Sequence, residues 1–331
     1  MDRSIKPIQL ISKKEYRAFN LDTLLLSAGL LAAGFFINGA DALRMASACL
    51  LSGIVSEYIC YYVILKTKSF ANLSAFASSL LIALLLPATA PLYTGILASA
   101  FAVFVAKLPF GDGRNTPFVP AAAGFCFAAI LFPDAVFTYT SDALTNSSLL
   151  DMLTKGNGVT LDLFGLLRLA TGSFPGAIGT AVPGALGAVF LYRLVRSPKS
   201  LITSAAFMAA SVLFVCLFPR LNTDLFTCIV CEMCAGSLAF TALMLINDPV
   251  TAPKKPVKAI IYGFIGGIVA MLLRCFGNVY DGSVFAVLIM NFVWPAFFGK
   301  ETGNAASRFS EKSKAKKAPA ISENKEGGDK Q

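Results

Sequence analysis

A short pattern recurs at matching points of the two halves of this chain, each time at the end of a long apolar stretch. Pro87-Ala88-Thr89-Ala90-Pro91 follows the third such stretch, and Pro249-Val250-Thr251-Ala252-Pro253 follows the eighth. A second pair follows each of these. Lys107-Leu-Pro-Phe110-Gly111-Asp112-Gly113 and Arg274-Cys-Phe276-Gly277-Asn-Val-Tyr-Asp281-Gly282 both run basic residue, Phe-Gly, Asp-Gly. Two paired patterns in register are the mark of an internal duplication. Five apolar stretches per copy is an odd number, so the second copy enters a membrane upside down. Inverted repeats of this kind place a site between the halves of proteins that move something across a bilayer.

The apolar stretches themselves set the class. The chain is 56% hydrophobic and 14% charged over 331 residues, against about a quarter charged in a soluble domain. Stretches of ~20 apolar residues span a bilayer. Ten candidates occur: 22–38, 42–65, 72–88, 92–109, 117–133, 175–195, 200–218, 225–246, 257–275 and 283–299. The expected fold is an all-α polytopic membrane protein, with about ten transmembrane helices arranged as two inverted five-helix repeats. The expected segments are an N-terminal cytoplasmic stretch 1–21, a first repeat 22–133, an external loop 134–174, a second repeat 175–299 and a basic, disordered tail 300–331. No cleavable signal peptide is evident, because the polar start runs into a full-length span.

Charge orients these spans. With the N-terminus inside, the outer segments carry Arg44, Lys155, Arg168, Arg220 and Arg274, and the remaining Lys and Arg of the 28 lie inside. That asymmetry follows the positive-inside rule and places both termini on the cytoplasmic side of the membrane. The net charge of +9 is therefore a topology signal and calls for no nucleic-acid partner. The tail's basic residues suit contact with anionic membrane lipid, although a solvated tail is the simpler reading.

The chain has eight Cys and no His. Without His there is no His-ligated metal or haem and no Ser-His or Cys-His nucleophile. Cys228, Cys231 and Cys234 are spaced like part of an iron–sulfur ligand run, but no fourth ligand stands out, and apolar packing is the expected role. No metal site is expected. Glu57 and Glu232 lie among apolar neighbours within spans. Carboxylates there face a cavity, a partner or an ion path, or hydrogen-bond to neighbouring helices. With Asp248, at the inner end of the eighth span, they are the candidate ion-path residues. The external loop carries Thr138-Tyr-Thr-Ser-Asp142-Ala-Leu-Thr145-Asn146-Ser147-Ser148, a hydroxyl-rich run with one acid and no nearby base.

From residue 7 to 299 the chain resembles the RnfD family of Rnf complexes, which is similar to NqrB of the sodium-translocating NADH:quinone reductase. The resemblance is carried by Val55-Ser-Glu57-Tyr58, by Leu84-Leu-Leu-Pro87 and by Lys107 through Ala121. It is carried also by Asp248-Pro249-Val250-Thr251-Ala-Pro253 and by Asp281-Gly282-Ser-Val-Phe285-Ala286-Val287-Leu-Ile-Met-Asn291. It implies a subunit of an ion-translocating oxidoreductase, not catalytic alone. Such a complex couples electron transfer between ferredoxin and NAD to Na+ or H+ movement. The implied partners are other Rnf-type subunits and a flavin transferase.

The resemblance also implies FMN, joined by a phosphoester to a hydroxyl residue in a motif of the form Asp-x-x-Ser/Thr-Gly-Ala-Thr. Here Asp142 and Thr145 match, Asn146 and Ser147 replace Gly and Ala, and Ser148 supplies the hydroxyl at the attachment position. A second, non-covalent flavin such as riboflavin is implied between the halves, with Asn115 and Thr251 as contacts. Thr180 stands where the family usually has an acidic residue. The residues alone leave two other readings open: an inverted-repeat transporter or channel, and a scaffold subunit without flavin.

Overall fold

The computed structural model describes residues 12–64, 73–110, 116–139, 163–172, 175–221, 224–277 and 281–298. All regular structure among them is helical. Helix α1 is Lys13–Asn38. Its start is written in the sequence as Ser12-x-x-Glu15, and the Ser12 hydroxyl accepts from the Glu15 N–H at 3.2 Å, satisfying one of the helix's orphan donors. Helix α2 is Ala40–Tyr58 and continues as a π-helical segment, Ile59–Ile64. Helix α3 is Leu73–Leu85. Helix α4 is Leu92–Phe101, followed by a second π segment, Ala102–Lys107, and a 3-10 turn, Leu108–Phe110. Helices α5, Pro120–Leu131, and α6, Pro133–Phe137, close the first half.

The second half opens with α7, Leu163–Thr171, and α8, Pro183–Arg196. It continues with α9, Leu201–Leu217, and α10, Leu225–Cys234. Next come α11, Leu238–Phe240, with a third π segment, Thr241–Leu245, then α12, Pro256–Phe276, and α13, Ser283–Phe298. Helices α5, α6, α8 and α12 each begin with Pro, which presets the helical φ where no N–H is needed. Two compact units are distinguished, 1–291 and 292–331.

Helix therefore occupies every interval read as a span, with two differences. The sixth interval becomes helical only at Pro183, because 175–182 runs as non-helical chain. The eighth is broken after Cys234, and its two pieces meet at a bend of 66°. By length and composition, three helices are long and apolar enough to cross a membrane, or four if the bent pair counts as one span. The segment expected as a loop, 134–174, holds most of α6 and all of α7.

The halves interlock within the first unit. The non-helical stretch after α7 lies on the C-terminal end of α3, where Ile178 N–H donates to the Leu86 carbonyl at 3.1 Å and Gly179 N–H to that of Leu84 at 2.7 Å. Those carbonyls have no intrahelical partner at a helix end. Asp22 of α1 accepts from the Tyr192 hydroxyl at 3.3 Å and pairs with Arg196 at 3.5 Å. In the second half α9 and α12 pack backbone to backbone. A Cβ at Gly263 or Gly267 would overlap the carbonyl oxygens of Thr203 and Phe207, so this Gly-x3-Gly pair is what permits the approach. Large apolar side chains point outward around the bundle, Phe36 at 86% and Val195 at 87% exposure among them. In water that surface would be a liability; against acyl chains it is the favourable one.

Candidate functional site: two buried ion groups and a polar turn

The basic residues of the repeated sequence pattern are both buried, and each meets one of the intramembrane glutamates. Glu57 sits in the last turn of α2, just ahead of one π segment, and Lys107 is the last residue of another. The Lys107 ammonium donates to Glu57 Oε1 at 2.5 Å, with both side chains 3% exposed. Cys60 of one π segment and Val103 of the other belong to one buried apolar cluster with Ala75 of α3. π turns are rare and cluster at functional positions. Here they widen both helices beside one buried charge pair.

The second group is larger and is built around the break in the eighth span. Arg274, in the last turn of α12, donates to the Glu232 carbonyl at 2.9 Å and to the Ala235 carbonyl at 2.8 Å. The same guanidinium reaches Glu232 Oε2 at 3.3 Å and Asp281 Oδ1 at 3.4 Å. Arg220 adds a contact to Glu232 Oε1 at 3.4 Å. Asp281 accepts from the Ser237 N–H, from the Ser283 N–H at 3.2 Å and from the Ser283 hydroxyl at 2.8 Å. Two cations and two anions thus close on each other. They also satisfy the backbone groups that the break at Ala235-Gly236-Ser237 leaves open. An isolated buried charge would be prohibitive; paired and hydrogen-bonded, it is tolerable.

The third polar feature is the turn after the broken span. Asp248 is partly buried, and its Oδ1 accepts from the Val250 N–H at 2.8 Å. Burial raises its carboxyl from 3.8 to about 6, against the opposing pull of the Val250 and Thr251 N–H groups. Thr251 N–H in turn donates to the Asp248 carbonyl at 3.2 Å. The Tyr262 hydroxyl lies near Asp248 and Thr251 and donates to Asn291 Oδ1 at 2.9 Å. Close by in sequence, the Asn247 amide donates to Ser204 Oγ at 2.5 Å and to the Ala242 and Leu243 carbonyls at 3.1 and 3.3 Å. Among the described residues the Asn247 Oδ1 and Asn291 Nδ2 atoms are buried without a hydrogen-bond partner.

Of the residues singled out from the sequence, Glu57 and Glu232 thus fall into separate ion groups, and Asp248 and Thr251 share one turn. Asn115, Asp142, Thr145, Asn146, Ser147 and Ser148 lie outside the described residues. Cys228 and Cys231 are fully buried, and Cys234 is partly so. Among the described residues no group of three or more His, Cys, Asp or Glu side chains could hold a metal. Sequence reasoning missed Arg220 as a partner of Glu232, and missed that Asp281 spans the break. A usable signal was present: an acid inside a span needs a cation, and the repeat pattern already marked Lys107 and Arg274.

An all-helical bundle with outward apolar faces, a broken span and two compensated groups of buried charge defines a multi-pass membrane protein. The family model for NQR2, RnfD and RnfE matches residues 7–299, and the chain belongs to that family. The D subunit of the Na(+)-translocating ferredoxin:NAD(+) oxidoreductase complex of Acetobacterium woodii is 26% identical over 295 residues, covering 86% of this chain and 89% of that protein. The D subunit of the ion-translocating oxidoreductase complex of Pseudomonas paraeruginosa is 28% identical over 247 residues, covering 67% and 71%. The B subunit of the Na(+)-translocating NADH-quinone reductase of Neisseria meningitidis serogroup B is 28% identical over 248 residues, covering 70% and 60%.

Proposed function

We propose that this chain is the membrane flavoprotein subunit of an Rnf-type complex that couples electron transfer between ferredoxin and NAD to movement of Na+ or H+. The observation that carries the reading is family membership over nearly the whole chain, with relatives named as subunits of ion-translocating oxidoreductases. In this reading the chain works only with its partner subunits.

Ser148 is the attachment residue for FMN, through a phosphoester made by a flavin transferase on the external side. Asp142, Thr145, Asn146 and Ser147 form the surrounding motif. The flavin supplies one-electron and two-electron chemistry, and the protein positions it and tunes its potential. A second flavin, held without a covalent bond, would use Asn115 and Thr251. The unpaired Asn291 Nδ2 is a buried donor on the residue that Tyr262 links to the Thr251 turn, and such a donor suits the polar edge of a flavin ring. Glu57, Glu232 and Asp248 are the acids available to an ion path. The first two each meet a buried cation, whereas burial raises the Asp248 carboxyl to about 6.

The test is in-gel flavin fluorescence of the denatured protein, co-expressed with its flavin transferase, beside Ser148→Ala. Fluorescence that survives denaturation and disappears in the variant supports the reading. A dark wild type, with the transferase active on another target, overturns the covalent flavin. Solute flux through the isolated protein then separates a transporter from a scaffold subunit.

A further inference from the structure

The break in the eighth span has the form that membrane transporters use to hold ions. Two half-helices meet end to end, so one offers free carbonyls and the other free N–H groups at the break. In this chain both ends are already filled from within. The Arg274 guanidinium takes the carbonyl end, at Glu232 and Ala235. The Asp281 carboxylate takes the amide end, at Ser237. Four donors from three separate segments converge on that one carboxylate: the Ser237 N–H, the Ser283 N–H, the Ser283 hydroxyl and Arg274. Asp281 is 1% exposed and Arg274 3%. Gly236 shapes the cage. Its φ is +59°, and a Cβ there would lie 2.5 Å from Asp281 Oδ2 and 3.0 Å from the Arg274 guanidinium.

We propose that the Arg274 guanidinium, the Ser237 and Ser283 amides and the Ser283 hydroxyl form a binding site for a small carboxylate, which the protein occupies with its own Asp281. Asp281 is thus a tethered ligand. It closes the break to outside anions and holds the two half-helices at their bend. A covalent tether gives its carboxylate a high effective concentration at the site, so a free carboxylate competes only when the tether is cut. The proposal goes beyond the flavin reading and does not depend on it: a chain without flavin would have the same cage.

The experiment uses the full chain in its purified membrane complex and follows thermal unfolding in graded sodium formate. Asp281→Gly removes the ligand and leaves the donors in place. Its midpoint falls by several degrees, and formate restores at least half of that loss in a saturable way. Wild type gains nothing beyond the effect of equal ionic strength. In the double variant Asp281→Gly/Arg274→Gln, formate restores nothing. Asp281→Asn keeps the shape and fills the cage with a neutral amide, so it is less stable than wild type and formate does not help it. An equal response of wild type and Asp281→Gly overturns the proposal. So does a folded Asp281→Gly with an unchanged midpoint. If Asp281→Gly does not accumulate, Asp281→Asn decides: stability equal to wild type would show that no anion is needed in the cage.

Discussion

Lys107 and Arg274 occupy the same place in the repeated sequence pattern, yet they neutralise their carboxylates in different ways. Lys107 is a point charge with one described bond, to Glu57. Arg274 is a fork that reaches two carboxylates and two backbone carbonyls. The carboxylates also come from different places: Glu57 from the second span, Glu232 from the broken eighth. A compact ammonium suffices where the helices are continuous and only a side-chain charge must be met. A planar guanidinium is needed where a helix ends inside the bundle and its carbonyls need donors as well. The repeat therefore keeps a buried positive charge at that position, while local backbone geometry decides which cation can supply it.

That contrast can be broken experimentally. The largest effect is expected at Arg274. Arg274→Ala leaves Asp281 as an unpaired buried charge, leaves Glu232 only its contact with Arg220, and opens the carbonyls at 232 and 235, so the cost should reach or exceed the roughly 3–5 kcal/mol typical of halving a buried ion pair. Arg274→Lys should recover little of it, because one ammonium cannot serve four acceptors. The check is the melting midpoint of the detergent-solubilised complex; full recovery by Lys would remove the distinction drawn above.

A smaller net effect is expected at the first-half pair. Lys107→Met alone should cost about 3–5 kcal/mol by stranding Glu57. Lys107→Met with Glu57→Gln should return to within about 1 kcal/mol of wild type, since a neutral pair of similar volume replaces a buried salt bridge at little cost. The measurement is a double-mutant cycle on the same melting curves. A double variant as unstable as the single would mean that this pair, too, holds more than charge.

Much of this was legible in the sequence, for physical reasons that differ by feature. The helices were readable because apolar runs near bilayer length leave few alternatives. The acids were readable because Glu57 and Glu232 stand alone among apolar residues. The break at Ala235-Gly236-Ser237 lay inside what reads as one continuous span. A Gly-Ser step is a known place for a helix to bend, but its use depends on Asp281 arriving from a distant loop. The delayed start of α8 at Pro183 has a similar origin, since the preceding chain is held by carbonyls at the end of α3. The three π segments have no local signature, because they arise where packing forces an extra residue into a turn. Neither the proposed attachment motif, 142–148, nor Asn115 falls within the described residues.

Asp248 sharpens the comparison from the other side, since backbone N–H groups rather than a cation are what hold it. With its carboxyl raised to about 6, the ionised form is disfavoured in the folded protein and unperturbed in the unfolded chain. The sign follows from that difference. Stability from this group is fully present below its ordinary pKa and is lost as pH rises through about 6. At pH 8 the wild type should therefore be no more stable than Asp248→Asn, and as pH falls to 5 it should gain on the variant. The full change, from above pH 6 to below the ordinary value, has a ceiling of about 3 kcal/mol, from roughly two pKa units at about 1.36 kcal/mol each, and about half of it falls between pH 8 and pH 5. Melting midpoints of Asp248→Asn relative to wild type, taken at several pH values, are the measurement. A flat difference would remove Asp248 as an acid that exchanges a proton in this range.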